Sequence, residues 1–303
     1  MPVFLVCEGQ HGSLDERVLN ALVVQPSAPT VQTAPAGSDT SLGSVCQYIE
    51  RPKPQSAPPA PPDVAVAVAD RNYRPRAEAD ATWNNAARRR FVWRRHEIEN
   101  YLLEPRVVLE LFDNFRAAVP PPWAAGLPAS EAAVGLFLQT RAAPLVENHA
   151  AEVLRAELVR ALSPHGLRFG VRAPAPPQGA FAPGRAEWLP VLTAEATRIL
   201  NGCATAGTLV AYQPNEIAAR YQVLLAQFQN PPFLAAGDYL FDLGGHELLQ
   251  SLAFELRRLG GPPALTEQYL GTELLAALGR VYQPNTLFQP DDFAALGTIL
   301  AQY

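Results

Sequence analysis

Short apolar runs alternate with helically spaced ones over about the first 110 residues. "VFLV" (3–6) is a compact apolar run that stops at Cys7-Glu8-Gly9 and reads as a buried strand. "DERVLNALV" (15–23) sets Val18, Leu19 and Leu22 at helical spacing behind acids in its first turn, the pattern of a helix. "TVQTAPAG" (30–37) is a second strand candidate closing on a glycine turn. "TSLGSVCQYIE" (40–50) places Leu42, Val45, Cys46 and Ile49 on one helical face. The proline-rich stretch "RPKPQSAPPAPPD" (51–63) predicts a loop without an ordered element. "VAVAVAD" (64–70) is apolar on both faces, as a central strand of a parallel sheet must be, and "RFVWR" (90–94) is a fourth strand candidate.

Beyond residue 105 the pattern becomes helical throughout. "PRVVLELFDNFRAAV" (105–119) starts on a proline suited to a first helical turn. Residues 130–162 read as helix broken at Pro144, and "RAPAPPQGAFAPGR" (172–185) as loop. Four more amphipathic segments follow at 215–228, 246–260, 266–282 and 290–303. The expected fold class is therefore α/β, a small parallel-sheet unit over residues 1–117 followed by an all-α unit over 118–303.

Sheets of this kind carry their sites at the carboxyl ends of the strands. Here the first strand ends on Glu8, the third on Asp70, and the fourth leads into Glu97 and Glu99 within "RRHEIENYLLEP" (94–105). Three strand ends thus deliver acids to one edge. If 95–99 is extended, both glutamates share one face; if a helix begins by Ile98, only one points inward, and Glu97 is then favoured. Arginines crowd the same phrase, and beside an acidic site they would act as phosphate forks.

Composition limits the alternatives. The chain has 303 residues, 48% hydrophobic and 17% charged, with a net charge of -5, which argues against a constitutive electrostatic binder of nucleic acid. Lys53 is the only lysine, and no P-loop, GxSxG, HExxH or CxxC pattern occurs. Cys7, Cys46 and Cys203 are widely spaced and read as buried free thiols in a reducing, cytoplasmic setting. The amino terminus lacks the basic region of a signal peptide, and no apolar run reaches the about 18 residues of a membrane span.

"FLVCEG", "VAVAVADRN" and "RRHEIENYLLEP" together resemble the TOPRIM domain, a metal-binding α/β module, in its bacterial DUF4435 or OLD-like, ATPase-associated form. The likeness covers roughly residues 3 to 110. "GDYLFDLGGHELLQSL" (237–252) resembles a Gly-Lys-x-Leu-Leu phrase of that group, with His246 in place of the lysine. The resemblance implies Mg2+ or Mn2+ held by Glu8, Asp70, Asn72 and Glu97 or Glu99. Glu8, Asp70 and Glu97 would do the chemistry. Arg71, Arg94, Arg95 and His246 would face phosphate. Asn72 stands where the family has the second acid of its DxD, and Asp15 stands beyond a short insertion, "QHGSL".

Two functions follow as expectations. One is a metal-dependent nuclease cutting DNA or RNA, an effector of bacterial anti-phage defence working with a separate ABC or AAA ATPase encoded nearby. The other is a catalytically degenerate TOPRIM that serves as an interaction module, binding a partner ATPase or pairing with itself as a homodimer. A membrane is not an expected partner.

Overall fold

Four parallel strands organise the amino-terminal half, and the rest of the chain packs around them as helices. The computed structural model describes residues 2–24, 31–51, 62–84, 89–117, 122–163, 188–201, 213–282 and 291–303. Strands β1 (Val3–Cys7), β2 (Val31–Pro35), β3 (Val64–Ala69) and β4 (Arg90–Val92) form one sheet in the order β2-β1-β3-β4. Val3 lies opposite Val31 on one side and Val64 on the other, so β1 and β3 run in register to neighbouring ends.

The alternation in β3 sorts its side chains by size. Ala65, Ala67 and Ala69 meet Leu42 and Cys46 of α2 (Asp39–Ile49), where small residues let the helix approach. Val64, Val66 and Val68 point the other way, into the main core. That core includes α1 (Leu14–Leu19), which continues through a π turn at Asn20–Val24. α3 (Arg76–Trp83) follows β3, and the short α4 (Glu99–Leu102) follows β4.

α5 (Pro105–Ala117) opens the helical half. α6 (Glu131–Ala142) passes through a 3-10 turn at Ala143–Leu145 into α7 (Val146–Leu162), so the α-helix is interrupted at Pro144 as its sequence predicts. α8 (Trp188–Asn201), α9 (Pro214–Gln229), α10 (Pro231–Ala235), α11 (Tyr239–Asp242), α12 (Gly245–Arg258), α13 (Glu267–Val281) and α14 (Asp291–Leu300) complete it. One apolar cluster runs without a break from Leu5 and Val66 through Phe112 and Leu138 to Leu252, Leu274 and Phe293.

Four helices were not among those expected. α3 carries only Ala79 and Thr82 as buried positions, too little apolar contrast to mark a face. α8 has a good stripe (Leu192, Ala196, Ile199), but Pro190 sits inside its first turn, where the missing N–H costs nothing. α10 and α11 are one-turn pieces set by proline and local turns. Cys7 and Cys46 are buried free thiols; Cys203, most of the proline-rich loop (52–61) and the 172–185 loop fall outside the described residues. Among the described residues, no helix is long and apolar enough to cross a membrane.

Candidate functional site

Because β1 and β3 are adjacent and end level, the residues that follow them meet. Glu8 Oε1 accepts the Asp70 backbone N–H at 2.7 Å. Gly9 then takes φ +83, and a Cβ there would stand 2.5 Å from Ser13 Oγ and 3.3 Å from Asp15 Oδ2. The Glu-Gly pair is thus needed twice: for the left-handed turn, and to let Asp15 fold back over it. The inserted loop is held by Glu16, whose Oε2 accepts the Gly12 N–H at 2.6 Å, and by the Gly37 N–H donating to Gly9 O at 2.7 Å.

The fourth strand brings the third group of acids. The Trp93 N–H donates to Ala69 O at 3.0 Å, and the Asn72 N–H to His96 O at 3.2 Å, which ties the segment before Glu97 to the turn after Asp70. The helix begins at Glu99, with Ile98 already in helical geometry at its cap. Glu97 lies outside that helix. Its Oε2 accepts the His246 N–H at 2.9 Å, and its own N–H donates to Asn100 Oδ1 at 2.9 Å.

Electrostatics marks these acids as one group. Burial, then the charges of Asp15, Glu8, Glu97 and Glu99, push Asp70 well above the usual carboxylate range. Burial raises Glu8 to about 7, with Asp39 and Asp15 adding repulsion against the Asp70 N–H. Asp15 rises to about 6 by burial and Glu97, and Glu99 to about 8 by burial, Glu97 and Asp15. Glu97 is the exception. Burial pushes it up, but His96, 3.4 Å away, and His246 outweigh that and hold it low. The cluster therefore combines one firmly ionised carboxylate with four that resist ionisation.

Asp15, named only as a substitute acid in the sequence, joins this group electrostatically. Glu247, which no sequence signal marked, is its neighbour: burial and Glu97 raise it. Gly245 explains why two glycines precede His246. A Cβ at Gly245 would fall 2.8 Å from Asn100 N, Asn100 Oδ1 and Glu99 Cβ, so only glycine lets α12 end against the acids.

The basic residues expected to face phosphate are committed elsewhere. Arg71 is buried; its Nη2 donates to Asp242 Oδ1 at 2.7 Å and to Phe241 O at 2.5 Å. Arg94 pairs with Asp80 at 3.0 Å and with Asp292. Arg95 pairs with Glu104 and lies 4.8 and 4.9 Å from the Tyr101 and Phe241 rings. The His246 ring binds Glu267 at 2.5 Å and is pulled up to about 9 mainly by that carboxylate. Of these four, His246 alone touches the acid group, and it does so through its backbone N–H. A guanidinium withdrawn from water needs a carboxylate, and the helical half supplies Asp242 and Asp292.

A hard divalent cation suits the donor set, which is all oxygen. Asp70 Oδ1 is buried without a hydrogen-bond partner among the described residues, the kind of orphaned oxygen a cation satisfies. Glu8, Asp70, Glu97 and Glu99 would hold it, with Asp15 beside them. Among the described residues no three His, Cys, Asp or Glu side chains already stand grouped to grip a metal ion. Mutual repulsion opposes such closure without a counter-charge. Asn72 takes φ 49, a left-handed conformation that asparagine tolerates, and its Nδ2 turns toward Asp70 O at 3.5 Å. Comparison with protein-family models finds none that matches this chain, and comparison with curated proteins finds no match either.

Proposed function

We propose that the chain is a TOPRIM-like protein of the DUF4435 or OLD-like type, and that its strand-end acids bind Mg2+ or Mn2+ to cleave phosphodiester bonds in DNA or RNA. The observation that carries this reading is the meeting of the β1 and β3 ends, Glu8 accepting the Asp70 N–H, with the segment before Glu97 tied to the turn after Asp70; burial and mutual repulsion raise Glu8, Asp15, Asp70 and Glu99. A fold gains nothing in stability from buried, mutually repelling carboxylates, so their use lies in what they bind.

A bound divalent ion would neutralise phosphate charge, orient water and lower its pKa. The chain's own groups divide the remaining work. Glu97, kept ionised by His96 and His246, offers permanent negative charge. Glu8, near 7, holds a proton about half the time at neutral pH. Its Oε1 is occupied by the Asp70 N–H, which leaves Oε2 as the atom that takes or gives that proton. By the same resemblance, the protein would work in the bacterial cytoplasm as an anti-phage effector under a separate ABC or AAA ATPase.

The test has two parts. Calorimetric titration of Mn2+ into the purified chain should show binding that Asp70→Asn abolishes. Incubation with DNA and RNA in Mg2+ should show cutting that Glu8→Ala removes. Metal binding without cleavage by the wild type, even beside its genomic neighbour, would refute the enzyme reading. A second reading, a degenerate module that binds a partner ATPase or a second copy of itself, is favoured by Asn72. That residue serves the turn and brings no charge to the DxD position.

A further inference from the structure

A cleft of about 580 Å³ opens between the loop after β3 and helices α7, α9 and α10. Five arginines line it: Arg71, Arg74, Arg76, Arg160 and Arg220. Three acids line it too, and each is already matched. Asp242 holds Arg71 and Arg76, Asp238 holds Arg76, and Glu157 holds Arg220. Arg74 turns to Asp39, which is not part of the wall. Arg160 meets only a backbone carbonyl, donating to Tyr73 O at 2.9 Å, and has no carboxylate partner among the described residues. Once the Arg74–Asp39 pair is counted, Arg160 is the one arginine of this lining left without a carboxylate among the described residues, in a chain whose net charge is -5.

The floor is of another character. His149 and Phe228 pack edge to face at 4.5 Å, with Leu224 and Phe233 beside them. Two buried polar atoms on this lining, Arg71 Nε and His149 Nδ1, have no hydrogen-bond partner among the described residues. An apolar floor beside an unpaired guanidinium suits a flat heteroaromatic group that carries a phosphate. The volume is of the right order for one such unit. The cleft reaches the turn that follows Asp70: Asn72 and Arg74 line it, and Arg74 Nη1 donates to the Asp70 backbone O at 3.4 Å.

We propose that this cleft binds one nucleotide unit, base on the His149–Phe228 floor and phosphate at Arg160, and that the unit is presented by single-stranded nucleic acid. Naming nucleic acid as the source rests on the phosphodiesterase reading; the cleft's fit for a nucleotide does not. A duplex would need a long basic track of phosphate contacts, and here most arginines are spent on carboxylates. One phosphate is what the spare charge of Arg160 can serve.

The test is fluorescence anisotropy on the full chain in EDTA, so that binding is read without cutting. The probes are a labelled single-stranded 12-mer, its duplex, and free adenosine monophosphate as competitor. Arg160→Gln should weaken strand binding about tenfold and reduce the slope of log K against log salt by about 0.7. Arg160→Lys should keep that slope. Arg257→Gln, which removes an exposed charge on α12 outside the cleft, should change neither. Binding of the strand with this Arg160 signature assigns the unit to nucleic acid. The same signature for the free nucleotide alone would keep the cleft and overturn the strand. Equal effects of Arg160→Gln and Arg257→Gln, duplex binding as tight as the strand's, or no binding of either probe would overturn the proposal. Strand binding without metal-dependent cutting would sink the nuclease reading and leave this one standing.

Discussion

Removing a charge from the acid cluster should stabilise the protein, and only at pH values where that charge exists. Glu99 is the position to test, since burial, then Glu97 and Asp15, push its carboxyl from 4.5 to about 8. The folded chain holds this proton more tightly than the unfolded chain does. The stability that comes from it is complete below pH 4.5 and is lost as pH rises through about 8. At about 1.4 kcal/mol per pH unit, ionising Glu99 costs on the order of 4 kcal/mol at pH 8 and under about 1 kcal/mol at pH 5. Solvent screening and relaxation of the cluster reduce the first figure to about 2 kcal/mol. Glu99→Gln has the shape of the protonated acid, so it should be more stable than wild type by about 2 kcal/mol at pH 8 and nearly equal to it at pH 5. The comparison is made against wild type because two histidines titrate in the same window. His149, pushed down to about 3 chiefly by burial, gives stability that is present above 6.5 and lost below it. His246, raised to about 9 by Glu267, gives stability that is present below 6.5 and lost as pH rises. His149 cancels in the difference between variant and parent; His246, whose charge acts on Glu99 itself, cancels only in part. Urea denaturation followed by circular dichroism at pH 5, 6.5 and 8, in EDTA, reads it out. A Glu99→Gln variant less stable than wild type at pH 8, or shifted equally at all three pH values, would refute the placing of Glu99 among repelling acids.

Three further outcomes follow from the same geometry. Mg2+ at about 100 times its dissociation constant should stabilise the wild type at pH 8 by about 2.7 kcal/mol; Asp70→Asn should show no such rise in a thermal melt. Asp242→Ala strips the carboxylate from Arg71, which is 4% exposed, and should cost about 3–5 kcal/mol in urea denaturation; a loss under about 1 kcal/mol would mean that Arg71 reaches water instead. Gly245→Ala should cost about 1–3 kcal/mol by overpacking against Glu99 and Asn100. It should also weaken Mn2+ binding, because α12 must retreat from Glu97; calorimetry on the folded variant checks both effects.

The strands and two of the acids were legible because a parallel sheet makes a local rule. An apolar run of five or six residues has a definite end, and neighbouring strands end together, so Glu8 and Asp70 had to meet once β1 and β3 were paired. Glu97 and Glu99 were legible only as alternatives, because a helix start is fixed to within a residue or two and the two cases differ by that much. In the event, the helix starts at Glu99, and both carboxylates still feel Asp70. Glu247 and Gly245 were hidden for a different reason. The phrase around His246 resembles a family motif, but the role of these two residues depends on α12 arriving from more than a hundred residues away, which the phrase does not announce.

The arginines show the limit most sharply. In sequence, Arg94 and Arg95 stand beside acids in a phrase that resembles a phosphate-binding edge. What a guanidinium does, however, is set by the carboxylate nearest in space, and for Arg71 and Arg94 that carboxylate is Asp242 or Asp292, on helices at the other end of the chain. Those pairs clamp the helical half over the strand ends and place the His246 N–H on Glu97. Charges that clamp the two halves are not free for phosphate. The positive charge left over on the cleft lining belongs to Arg160, which no motif marks at all. If this protein holds a phosphate, physical bookkeeping of charge puts it at Arg160 on α7, not at Arg71, Arg94 or Arg95, where the motif alone would place it.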